Sequence, residues 1–128
     1  MDRNELNALS NRVIGAAIEV HRILGPGLLE STYQEALMEE LELRGIQARK
    51  EVSVPFIYKG KQISKAYRAD IIVEDAIILE LKSTETDNPL FYKQLLTYLR
   101  LADKRLGLLM NFHHAMLSKG LTRVVNGF

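Results

Sequence analysis

The sequence contains no cysteine. Disulfide scaffolds, thiolate zinc sites and cysteine nucleophiles are therefore excluded, and the composition suits a reducing cytoplasm. Long hydrophobic runs are missing as well. Apolar stretches such as Ala76 to Leu79 and Leu106 to Met110 with its glycine fall far short of the roughly 18 residues a membrane span needs. The polar start Met1-Asp2-Arg3-Asn4-Glu5 leads into an amphipathic pattern, with no charged segment followed by an apolar block, so no secretory signal is expected. Nor is there an excess of one charge. The 17 Lys+Arg against 16 Asp+Glu leave +1, unlike a polycation that coats nucleic acid indiscriminately.

What is present is ordinary in bulk and uneven in detail. With 128 residues, 47% hydrophobic and 26% charged, residues 1–128 read as a single compact domain. A chain of this length buries roughly two thirds of its unfolded surface without staples. Residues 1–45 carry eight acids and four bases, residues 46–68 one acid and six bases, and residues 69–128 seven of each. The cationic middle segment, with Arg49, Lys50, Lys59, Lys61, Lys65 and Arg68, has two readings. It is either an anion-binding surface or a pair of exposed strands whose lysines discourage edge pairing.

Leu6, Leu9, Val13, Ala16, Ala17, Val20 and Leu24 recur at helical spacing and predict a first helix that stops at Gly25-Pro26-Gly27. Leu29, Tyr33, Ala36, Leu37, Leu41 and Leu43 mark one side of a second helix, with Glu35, Glu39, Glu40 and Glu42 facing water and Gly45 as its stop. From Ile46 the period changes to two. Val52, Val54 and Phe56 alternate with Glu51, Ser53 and Pro55; after a turn at Lys59-Gly60-Lys61 the chain returns from Ile63 to Val73, then turns at Glu74-Asp75-Ala76 and runs from Ile77 to Lys82. These segments predict an antiparallel three-strand meander. Asp87-Asn88-Pro89 opens a third helix with Leu90, Phe91, Leu95, Tyr98 and Leu99 on its buried stripe, ending near Asp103. Leu106 to Phe112 reads as a central strand. Leu121 to Val125 fits a short strand or a helical tail equally.

The informative stretch runs from Tyr67 to Lys82. A three-residue loop at 74–76 pairs Val73 with Ile77 and brings Asp70 opposite Glu80. Directly opposed residues share a face of a sheet. Asp70, Ile72, Ile78, Glu80 and Lys82 then gather on one face, and Ile71, Val73, Ile77, Leu79 and Leu81 on the other. A two-residue loop would shift the register, set Asp70 across from Leu79 and scatter the charges over both faces. Two carboxylates so close repel unless a cation lies between them, and a hard divalent ion such as magnesium resolves the conflict. Lys82 would then orient a water or neutralise charge on a phosphate. The bland alternative is that Lys82 forms an ordinary salt bridge with Glu80 or Asp70.

Asp70 followed by Glu80-Leu81-Lys82, set in a helix, three strands, a helix and a strand, resembles the PD-(D/E)XK nuclease superfamily. Gly27-Leu28-Leu29-Glu30-Ser31-Thr32-Tyr33 is similar to the GxxExxY motif of a small bacterial family within it, and the run His21 to Gly27 and the pair Gln94 and Tyr98 strengthen the likeness. The resemblance spans about Val20 to Phe112. It implies a mixed α/β (α+β) restriction-endonuclease-like core and a metal-dependent nuclease cutting phosphodiester bonds in DNA or RNA, with magnesium as cofactor and manganese able to substitute. It further implies Asp70, Glu80, the Leu81 carbonyl and Glu30 as metal ligands, Lys82 as the catalytic lysine, and Gln94 and Tyr98 lining the site. Ala69 precedes Asp70 where the motif's name has proline.

Each residue also has a plain reading. Tyr33 and Tyr98 suit core positions with a wet hydroxyl, Gln94 suits an exposed helix face, and Glu30 suits the favourable end of a helix dipole. His21 suits a helix end, and His113-His114 a solvated strand end, since neighbours alternate faces. Gly25 and Gly27 are followed by no P-loop lysine, which excludes a nucleotide loop. The competing functions are a nuclease-fold domain that binds nucleic acid or a protein partner without cutting, and a structural homodimer.

Overall fold

In the computed structural model, which describes residues 1–64 and 67–127, three helices flank a five-stranded sheet. Helix α1 (Arg3–Leu24) opens with a capping box between Asp2 and Glu5 and ends at Gly25, whose φ of 76° suits glycine. Helix α2 (Glu30–Leu43) ends in a Schellman turn. In that turn the N–H of Ile46 donates to Leu41 O at 2.9 Å and the N–H of Gly45 to Glu42 O at 3.0 Å. Strands β1 (Ala48–Ser53), β4 (Arg68–Val73) and β5 (Ile77–Lys82) form the antiparallel meander, while β2 (Phe56–Tyr58) and β3 (Lys61–Ile63) form a separate two-stranded ribbon. Helix α3 (Pro89–Ala102) crosses over to β6 (Leu106–Asn111), which lies parallel to β5, and β7 (Leu121–Val125) closes the order β1-β4-β5-β6-β7. The C-terminal segment is thus a strand. The mixed α/β arrangement is that of a restriction-endonuclease-like core.

The turn between β4 and β5 decides the register. Glu74 and Asp75 both have positive φ, and the N–H of Ala76 donates to Val73 O at 2.9 Å. Ala76 is the third loop residue, so Val73 faces Ile77, Ile72 faces Ile78 and Ile71 faces Leu79. The odd-numbered residues Ile71, Val73, Ile77, Leu79 and Leu81 join α1 and α2 in one apolar layer, whereas Ile72 and Ile78 pack with Leu95 and Leu99 of α3.

Four expectations need correction. Leu29 and Leu43 are 74% and 72% exposed because they sit at the N-cap and last residue of α2, beyond the face that Tyr33, Leu37 and Leu41 bury. Leu90, at the start of α3, is also exposed. The alternating run through Phe56 is not one strand: Pro55 has no N–H to donate and separates β1 from β2. Val54 still continues the pairing, its N–H donating to Tyr67 O at 2.9 Å.

Candidate active site

The ladder between β4 and β5 stops at Ile71 and Leu79, one step before Asp70 would pair with Glu80. At that step the Asp70 side chain enters the gap, and its Oδ2 accepts a hydrogen bond from the N–H of Leu81 at 2.8 Å. On the far side of β4, Lys50 faces Ile71 and Val52 faces Ala69, and the intervening Glu51 has φ 51°, a left-handed conformation that costs a non-glycine residue about 1 kcal/mol. From helix α2, Gln34 Nε2 donates to Asp70 O at 2.9 Å.

Glu80 is buried, with 8% of its surface exposed. Burial, followed by the charge of Asp70, pushes its carboxyl up to about 8, against the opposing pull of the Tyr67 hydroxyl and the Lys82 charge. Tyr67 donates its O–H to Glu80 Oε1, and burial beside Glu80 raises the phenol above its ordinary value. The Tyr67 ring stacks on Tyr98 of α3, centroids 3.4 Å apart. Lys82 Nζ lies 4.5 Å over the Phe91 ring, and among the described residues it forms no ion pair with either carboxylate. Phe91, Gln94 and Tyr98 fall on one side of α3 by helical spacing. Tyr98 is therefore a buttress for Tyr67, and Gln94 is exposed on the same helix.

Tyr33 supports the site from beneath. It is fully buried, stacks on Phe112 at 4.3 Å, donates to Gly25 O at 2.6 Å and accepts from the N–H of Leu28 at 3.0 Å. These bonds shape the glycine loop, with Gly27 at φ 83°, that leads into Glu30. The same loop is tied to the end of β5, because Ser83 Oγ donates to Leu28 O at 2.5 Å. Glu30 itself is exposed at the first residue of α2, one helical turn from Gln34. Among the described residues no three His, Asp or Glu side chains converge tightly enough to hold one ion. Glu30 is thus not gathered with Asp70 and Glu80.

The predicted cations divide into two sets. Arg49 pairs with Asp75 at 3.7 Å, Lys50 with Glu35, and Arg68 with Glu51 at 4.0 Å. Lys59 and Lys61 lie on the β2–β3 ribbon, with Lys59 Nζ 5.7 Å from the Tyr58 ring centroid. Lys65 falls outside the described residues. A cavity of about 1020 Å³ lies away from the acids, between α2 and β1 with Glu39, Ile46 and Arg49 in its wall. It has no part in the site, which is an open face bordered by α3.

Sequence reasoning misses several participants. Tyr67 lies before β4 begins, so strand alternation does not assign it to Glu80; Gln34 is signalled only by its four-residue spacing from Glu30. Beyond Lys82, Asn111 Nδ2 donates to Asp87 Oδ1 at 2.9 Å and His114 Nε2 lies 2.7 Å from Asp87 Oδ2, which together hold the Asp87 carboxyl below its ordinary range. His21 Nε2 meets His114 O at 2.8 Å. The histidines expected to be solvated thus include one that clasps two loops.

The model of the PD-(D/E)XK nuclease superfamily matches residues 7–124. The chain belongs to that superfamily. A solved structure described as the crystal structure of SSO0001 is similar, with a TM-score of 0.58 and 20% identity, covering 97% of this chain and 63% of that one. This likeness concerns the fold alone, and the chain spans less than two thirds of that structure's length. No curated protein gives a match. No helix among the described residues is long and apolar enough to cross a membrane.

The donor set fits a hard divalent cation of the kind this superfamily generally uses. Asp70 and Glu80 offer carboxylate oxygens and the chain has no thiolate. A cation would also offset the burial and the Asp70 charge that together drive Glu80 to hold a proton.

Proposed function

We propose that this chain is a metal-dependent nuclease hydrolysing phosphodiester bonds in DNA or RNA, with residues 1–128 acting as one nuclease-like domain of the GxxExxY family. The observation that carries the reading is the pairing of half-buried Asp70 with buried Glu80 beside Lys82, on the side of the sheet that faces α3. Gly27, Glu30 and Tyr33 support the family, since Tyr33 holds the loop that presents Glu30.

Asp70 and Glu80 would hold magnesium, or manganese in its place, with Glu30 contributing through water or substrate and the Leu81 carbonyl as a further oxygen. The bound ion would supply a Lewis acid and a lowered pKa for water. Leu81 N–H fixes the Asp70 carboxylate, and Tyr67 fixes Glu80 while Tyr98 backs its ring. Lys82, resting on Phe91, supplies positive charge for a phosphate oxygen or orients the attacking water. Gln94 lines the same side of α3. Arg49, Lys50, Lys59, Lys61, Lys65 and Arg68 would contact the polymer's phosphates.

A second reading is a nuclease-fold domain that binds nucleic acid without cutting, and the exposed position of Glu30 favours it. Cleavage assays with magnesium or manganese separate the two. Metal-dependent cutting that Asp70→Ala and Lys82→Ala each abolish supports the nuclease. Cutting that survives both substitutions contradicts this site, and salt-sensitive binding without cutting supports the second reading.

A further inference from the structure

We propose that the β2–β3 ribbon is an arm that grips unpaired nucleotides by stacking a base on Tyr58 between two phosphate-seeking lysines, an inference that rests on the nucleic-acid reading above. No acidic residue occurs between Val52 and Ala69, so the whole excursion offers only positive charge. Tyr58 faces Lys61 across the ribbon, and Phe56 faces Ile63. Cross-strand partners share a face, so Tyr58 and Lys61 extend the face whose half-buried root, Phe56 and Ile63, lies toward the body of the protein. Tyr58 is 59% exposed and Ile57, on the other face, 64% exposed.

The ribbon is also placed to deliver substrate. β2 lies against α3, and the chain leaving the ribbon reaches Tyr67, whose hydroxyl holds Glu80. A strand held at Tyr58 is thus anchored next to α3, the helix that borders the acids.

The composition selects the form of the partner. Ribbons that read a duplex groove present hydrogen-bonding side chains to base edges, and here Gln62 is the single amide on the paired strands. An exposed ring with a cation 5.7 Å from its centroid instead matches the stacking platforms of single-strand binders, where each stacked base contributes about 1–3 kcal/mol. Stacked bases inside a duplex have no free face to offer.

The test is fluorescence anisotropy in EDTA with a labelled single strand of about 12 nucleotides and the corresponding duplex. The full chain is expected to prefer the single strand, and Tyr58→Ala is expected to weaken that binding about tenfold while changing duplex binding less than about twofold. Lys59→Ala with Lys61→Ala weakens both and flattens the single-strand salt dependence by about 1.4 in log–log slope. All three positions are exposed, so the variants should fold, which circular dichroism checks. Preference for duplex, or no effect of Tyr58→Ala, overturns the proposal. Absence of any oligonucleotide affinity in protein that still cuts nucleic acid in manganese overturns the arm alone. Absence of cutting with single-strand binding intact supports the arm and counts against the nuclease.

Discussion

The two faces of the sheet are built differently. Beneath α1 and α2 lies a continuous apolar layer from Leu6 to Leu117, closed by Tyr33 and Phe112. Under α3 the apolar cluster is smaller, centred on Ile72, Ile78, Leu95 and Leu99, and it gives way at one end to Glu80, Tyr67 and Lys82. The same two strands supply both surfaces, because successive side chains alternate. One face therefore stabilises the fold, and the other carries the cost of holding the buried Glu80 carboxyl beside Asp70.

Substitutions on the two faces should separate stability from chemistry. The largest stability loss is expected from Leu79→Ala on the α1–α2 face, where a fully buried leucine leaves a cavity; urea unfolding should show about 2–5 kcal/mol. Tyr33→Phe should cost about 1–3 kcal/mol by the same measurement, because the Leu28 N–H loses its acceptor. On the α3 face, Glu80→Gln should act through pH. The folded Glu80 carboxyl titrates at about 8 against an ordinary 4.5, so the metal-free native state holds a proton that the unfolded chain releases. Stability from this group is fully present below about pH 4.5 and is lost as pH rises through about 8. Urea midpoints in EDTA should decline across that window in the wild type and decline less in Glu80→Gln. The smallest effect is expected at the helix rim: Asn88→Ala removes a side-chain cap on the Leu90 N–H and should cost about 1 kcal/mol.

The difference between the faces also governs what the sequence reveals. Helix α1, the Asn88-Pro89 start of α3 and the all-buried β6 are written in local pattern, and the Glu74-Asp75-Ala76 loop fixes the register that sets Asp70 toward Glu80. Tyr67 is not legible, because its contact with Glu80 depends on where β4 begins and on a ring stacked from α3. The exposure of Leu29, Leu43 and Leu90 follows from where each helix starts or stops, which spacing locates only to within a residue or two. The ribbon separates from the meander because Pro55 interrupts a pattern that otherwise reads as one strand. β7 is decided by pairing with β6, a long-range fact.

Calorimetric titration of manganese into the metal-free protein, run near pH 7 in buffers of different ionisation enthalpy, addresses the paired carboxyls most directly. Saturable binding accompanied by release of about one proton is expected, with binding abolished by Asp70→Ala. Binding of undiminished strength in Asp70→Ala, or no binding by the wild type, would contradict a metal site at these carboxyls.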